Sequence, residues 1–351
     1  MGGLFEDFLI VGLAKPATGG PLELKMLYHL QKEKSEEAKA IVEVRARASC
    51  PFTKKPALKK SLVCVCAQFC FPDFEDERDA ARHDRLTESF TFTLTEEDGS
   101  RLFGFCRRLA QPQQLPICLC VLSRRPWFSL FMHMHGILQS NFDLARFVPA
   151  FVSAAYAAPV PPPGESTPIC VEPLYKGASY FGVFKLSPPV EDRPSGIQFE
   201  PLLNALGVPN VLRVLGALLT EQRVVFVGSR WGHVSGCAHA ATVMLYPLQW
   251  QHILIPVLPK SKLSYACAPM PFVLGVQTSH LPALMKEPLD QVRNTPNTPL
   301  PRLCHAPRIP SPLTPSRRAP SRHAHASTPL HSTRAPTNRV CRHPPRPGPL
   351  R

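Results

Sequence analysis

The sequence predicts an α/β protein, α+β overall, built as two lobes and followed by a disordered tail. Three observations carry this. "SFTFTLT" and "RLFGFCRRL" alternate apolar with other side chains on either side of an Asp98-Gly99 turn, the pattern of an antiparallel hairpin. In the second half, the apolar runs "RVVFVGS", "HILIPVL" and "PMPFVLGV" are separated by helix-like stretches, which indicates a mainly parallel sheet. After Val292 the composition changes: residues 293–351 hold eleven arginines, no lysine and no acid.

The elements follow in order. "LFEDFLIVGLA" reads as a first buried strand. The charged "HLQKEKSEEAKAIVEVRARA" is a helix or a solvated insertion, the insertion being preferred. "SLVCVCAQFCFPD" is a β-rich run closed by Pro72-Asp73, and an acidic loop, "FEDERDAARHDR", leads to the hairpin. "LPICLCVLS" is the next strand. It ends at "SRRPW", where Ser123 is expected to cap a helix and Pro126 to occupy its first turn, because Phe128, Phe131, Ile137 and Leu138 then recur at helical spacing. Arg124 and Arg125 would sit at an exposed rim with Trp127 beneath. "DLARFVPAFVSAAYAA" is helical, and the proline-rich "PVPPPGESTP" is a stiff linker. Beyond it come a strand in "SYFGVFKL", helices broken at Gly207–Pro209, and a helix in "HVSGCAHAATVMLYPL" ended by Pro247. The expected organisation is a first lobe over 1–157, a linker over 158–176, a second lobe over 177–292 and a Pro/Arg-rich tail over 293–351.

The net charge of +14 invites a nucleic-acid reading, but the tail carries most of it: 29 of the 40 basic residues face all 26 acids upstream, leaving +3. A binder of phosphate backbones needs its charge on a structured face, so no specific nucleic acid is expected. The tail has too few apolar side chains to offset the entropy of ordering.

The twelve cysteines are scattered, and Cys64/Cys66 and Cys118/Cys120 lie in apolar runs where a thiol acts as a small hydrophobe. There is no CxxC knuckle, and His133 and His135 would diverge by about 200° on a helix, so neither metal nor cofactor is expected. A reducing cytosol suits this usage. No apolar run approaches the roughly 18 residues of a membrane span. Glu6 and Asp7 replace the basic start of a signal peptide, and Glu6 stands where myristoylation wants Ser or Thr. No GxxxxGK[ST] offers a phosphate cradle. "VFVGSRWG" lacks the residue that a nucleophile elbow requires between its first glycine and Ser229.

"FCFPD", "FTFTLTEEDGSRLFGFCRRL" and "CVLSRRPWFSLF" resemble the upstream module of DENN-domain proteins, and "LLTEQRVVFVGS", "CAHAATVMLYPLQWQHILIPVLP" and "YACAPMPFVLGV" resemble their central module. The match runs over roughly residues 4–292, and "GGLFEDFLIVGL" is most similar to the connecdenn and DENN-2-type branches. The resemblance implies a longin-like N-lobe joined to an α/β C-lobe, acting as a guanine nucleotide exchange factor for Rab GTPases in membrane traffic. That role needs no bond-making residues and no cofactor. It also implies a cytoplasmic protein, peripheral on vesicle or endosomal membranes.

Rab contact is expected at rims where polar groups leave the strand ends: Arg124, Arg125 and Trp127 in the N-lobe; Glu221, Gln222, Arg223, Ser229, Arg230, Trp250, Gln251 and His252 in the C-lobe. The family continues into a downstream module, whereas this sequence turns to proline and arginine at Arg293. Without that module the central sheet would expose an unpaired edge, and the alternative reading is a GTPase-binding scaffold without exchange. The tail offers proline-rich segments to SH3-type partners and charge to anionic membrane.

Overall fold

The computed structural model describes residues 3–14, 23–30, 65–73, 87–96, 98–111, 115–142, 147–162, 164–171, 182–190, 194, 196–287 and 302–305. All belong to one compact unit, Met1–Arg308; Ile309–Arg351 lies outside the described residues.

The first part of this unit is a five-stranded antiparallel sheet of β1 (Asp7–Ala14), β2 (Glu23–His29), β3 (Glu88–Thr95), β4 (Arg101–Leu109) and β5 (Ile117–Ser123), in the order β2-β1-β5-β4-β3. The hairpin forms as expected: Thr95 pairs with Arg101 across the turn, and Gly99 takes φ 81°, which suits a residue without Cβ. Both faces of the sheet are covered, so period-2 alternation sorts apolar residues between two cores instead of separating core from solvent. Phe8, Ile10, Leu119 and Val121 pack on α2 (Phe128–Ser140) and α3 (Phe147–Ala157). Leu9, Val11, Cys118 and Cys120 face the other way, onto Cys66, Phe69 and Cys70.

Those last three belong to α1, residues 65–70, where a β-rich run was expected. Burial at 66, 67, 69 and 70, with Val65 and Gln68 partly exposed, is helical, so a single helix face serves this side of the sheet. β2 escaped the sequence reading because its Glu23, Lys25 and partly exposed side chains are those of an edge strand. Ser123 does not cap α2: it ends β5 fully buried, and its Oγ accepts from the Arg125 N–H at 3.1 Å. Pro126 accordingly precedes the N-cap, Trp127. The charged stretch after Leu30 and the acidic loop lie outside the described residues.

A short hairpin, β6 (Thr167–Cys170) with β7 (Val183–Leu186), follows α3. Next come α4 (Glu200–Leu219), β8 (Val224–Gly228), α5 (Trp231–Val243), β9 (Ile253–Ile255), β10 (Phe272–Gln277) and the short α6 (Leu281–Leu284). β8, β9 and β10 pair in parallel, in the order β8-β10-β9. α4 is broken at Gly207 (φ 70°, ψ 157°), just before Pro209. It is the one helix among the described residues long and apolar enough to cross a membrane, contrary to the expectation that none would be. Here its Val211, Val214 and Leu218 pack with Val234 and Ala238 of α5. The opposite face of the parallel sheet is closed by residues 260–267 and α6, through Leu258, Leu263 and Leu284. Within the segment expected to lack structure, Arg302–His305 forms β11, which runs parallel along the outer edge of β8.

Candidate functional site

The two sheets meet where α5 lies along β3. As an edge strand, β3 has unpaired backbone groups; α5 satisfies those of Thr91, and the Glu88 side chain accepts from the start of α5 in return. The Gly232 N–H donates to Glu88 Oε1 at 2.9 Å, the Thr91 N–H donates to Ser235 Oγ at 3.3 Å, and His239 Nε2 donates to the Thr91 carbonyl at 3.3 Å. Gly232 is required by this approach, since a Cβ there would stand 2.5 Å from the Ser89 carbonyl oxygen. Burial pushes His239 down to about 4, so it is a neutral donor at ordinary pH.

Beneath this seam lies a buried polar cluster. Asp73 accepts from Trp231 Nε1 at 2.9 Å on both carboxylate oxygens, stands 3.5 Å from Arg108 Nη1 and lies 3.6 Å from His280 Nε2. Arg108 donates to the Cys70 carbonyl at 3.2 Å and spreads over the rings of Phe71 and Phe90. Three other parts of the chain converge on Asp73, which in the sequence is only the close of a β-rich run. Trp231, Arg108 and His280 were not singled out either; the one available signal was the acid at the end of "FCFPD".

Beside the seam opens a groove of about 430 Å³ between the β3–β4 turn, the corner after β5 and the loop leading into β9. Its walls include Arg101, Arg124, Phe128, Trp250 and Gln251, with exposed Tyr246 and Leu248 on its rim. Arg124 is held by Glu96 Oε2 at 2.7 Å and Ser100 Oγ at 2.8 Å, while its own N–H donates to Glu6. Arg101 crosses the groove to the Trp250 carbonyl.

Of the residues expected at rims, Arg124, Trp250 and Gln251 come together here. Arg125 stacks on Trp127, 4.6 Å from guanidinium to ring centre, and Trp127 is buried in the helix-side core. Trp250 is likewise buried, donating from Nε1 to the Ile253 carbonyl and meeting the His252 ring edge-on. His252 contacts exposed Glu221 at 3.2 Å, a residue at φ 51° in the turn before β8. Arg223 is buried, not displayed, and burial pulls its guanidinium down. Ser229 and Arg230 lie at the other end of β8, about 17 Å away along the strand. Arg230 faces Glu88 at 3.7 Å, and the Ser229 carbonyl accepts from Gln277. The groups were expected at strand ends, and parallel pairing of β8 and β9 through β10 sets them at two ends of the layer.

An antiparallel sheet wrapped by helices, docked by its edge on a helix of a parallel α/β layer with a groove alongside, defines a bilobed scaffold whose polar groups hold the lobes together. The DENN (AEX-3) domain model matches residues 114–294 and the uDENN domain model matches residues 54–109, so the chain belongs to the DENN domain family, in its DENN-2 branch. It is 32% identical over 303 residues to DENN domain-containing protein 2A of Mus musculus, covering 82% of this chain and 27% of that relative. To protein 2B of Homo sapiens it is 33% identical over 292 residues, covering 82% and 24%. With protein 2D of Mus musculus the figures are 29% over 292 residues, 82% and 58%. The chain thus spans about a quarter of the length of the 2A and 2B relatives.

Proposed function

We propose that the chain is a guanine nucleotide exchange factor that promotes GDP release from a Rab GTPase, with the groove between the lobes as its GTPase-facing surface. The observation that carries this reading is the pairing of DENN family membership with a groove that is basic on one wall, through Arg101 and Arg124, and apolar on the other, through Tyr246 and Leu248. An exchange factor breaks no covalent bond. It binds the nucleotide-free GTPase more tightly than the GDP form, and by linkage GDP affinity falls by the same factor. Fixed arginines and a rigid aromatic floor suit that task, because little side-chain entropy is lost on docking. The protein then acts from the cytoplasm, peripherally on vesicle or endosomal membranes, with residues 293–351 available to anionic lipid or SH3-type partners.

The test is GDP release from a panel of Rab proteins, with the full chain as catalyst. Acceleration for at least one Rab is expected, and the pair Arg124→Glu and Leu248→Asp should reduce it by about tenfold or more. Binding without acceleration would replace exchange by a scaffold, and absence of binding to every nucleotide-free Rab would end the reading.

A further inference from the structure

Cysteine spacing along the chain gave no metal motif, yet the fold brings thiols from three elements to one point. The Sγ atoms of Cys70 in α1, Cys106 in β4 and Cys120 in β5 lie within 4.8 Å of one another, all fully buried. Cys70 and Cys106 are 3.9 Å apart, close to the roughly 3.8 Å between two sulfurs on one tetrahedral zinc at 2.3 Å bonds. Cys118, two residues before Cys120 and on the same face of β5, stands outside this triangle, its Sγ directed to the Leu119 carbonyl at 3.7 Å, and would turn to complete a set of four.

The geometry points to a closed thiolate site for one soft d10 cation, Zn2+ or Cu+, held by Cys70, Cys106 and Cys120 with Cys118 as the fourth ligand. Sulfur-only donors select such ions over Mg2+ or Ca2+, and a dry four-sulfur cage belongs to a structural centre, not a catalytic one. On binding, each ligating thiol forms a metal–sulfur bond and releases its proton to solvent. Part of the net negative charge is offset by Arg108, which donates to the Cys70 carbonyl and faces Asp73, and whose Nε has no partner among the described residues. Complete burial requires the ion to enter as the chain folds. Once bound, it ties α1 to the sheet directly below Asp73, and so fixes one wall of the polar cluster between the lobes.

Elemental analysis of the full-length chain, purified under reducing conditions from cells given zinc, should find one Zn or one Cu per chain. The double variant Cys106→Ser with Cys120→Ser should lose it, while Cys267→Ser, far along the chain and partly exposed, should keep it. A variant that fails to fold leaves the wild-type measurement standing: titrating wild-type thiols with a mercurial should release the metal to a colorimetric chelator, and the stripped chain should melt at least about 5 °C lower. A folded chain that carries no metal overturns the proposal. So does a metal-free chain with two thiols missing as a disulfide, or a metal that persists in the folded double variant.

Discussion

At the scale of single residues, buried polar groups divide into those that hold the lobes and those that cost stability. His135 in α2 is of the second kind. It is buried, neither ring nitrogen has a partner among the described residues, and burial together with nearby Arg107 pushes it down to about 3. Unfolded histidine titrates near 6.5, so between that value and about 3 the unfolded chain binds a proton that the folded chain refuses. His239, depressed to about 4, acts the same way over 6.5 to 4. Stability is therefore expected to fall as pH is lowered below 6.5, with each histidine contributing up to about 1.4 kcal/mol per pH unit. Denaturant unfolding at a series of pH values measures that slope. His135→Leu should flatten it and, by removing unpaired polar atoms from an apolar core, stabilise the chain by about 1–2 kcal/mol at neutral pH. His239→Gln should flatten the slope without that gain, since His239 donates to Thr91.

At the scale of elements, legibility followed whether a local pattern had one structural solution. The β3–β4 hairpin was readable because alternation and an Asp-Gly turn agree, and the break in α4 because Gly207 and Pro209 each oppose a helix. α1 was not: "VCAQFC" is apolar enough for either element, and only the sheet beneath it selects the helix. The seam between β3 and α5 was equally hidden, because Gly232, Ser235 and His239 have meaning only against an edge 144 residues earlier in the chain. The rim residues at the ends of β8 and β9 were found as exposed polar groups, but Arg223 and Trp250 turned inward because each has an apolar body that packs. Gly232→Ala tests the seam directly. A methyl at 2.5 Å from the Ser89 carbonyl must push α5 off β3, breaking the Glu88 and Thr91 contacts together, so a loss of about 1–3 kcal/mol is expected in thermal unfolding. Gly236→Ala, whose Cβ would meet nothing within 4 Å, should be neutral or stabilising.

At the scale of the whole molecule, the charge asymmetry and the sheet edge bear on the same segment. The sequence leaves residues 1–292 nearly neutral and places the excess charge in 293–351, so Rab binding through the groove should depend weakly on salt, and any attraction of the full chain to anionic vesicles strongly. Residues 293–351 also contribute β11, which pairs with β8 from Arg302↔Val224 to His305↔Val227 and so occupies the edge expected to stand open. A parallel strand in the middle of a layer is apolar on both faces, as β8 is, and its bare edge would be a template for a second chain. Ending the chain at Val292 removes β11 and the arginines together, and the two contributions separate by readout. Loss of the strand lowers the melting temperature and raises light scattering at any ionic strength, whereas loss of the charge changes only vesicle binding at low salt. If the shortened chain melts as the full one does and stays monomeric, β11 contributes nothing to the layer, and β8 is protected by its shortness alone.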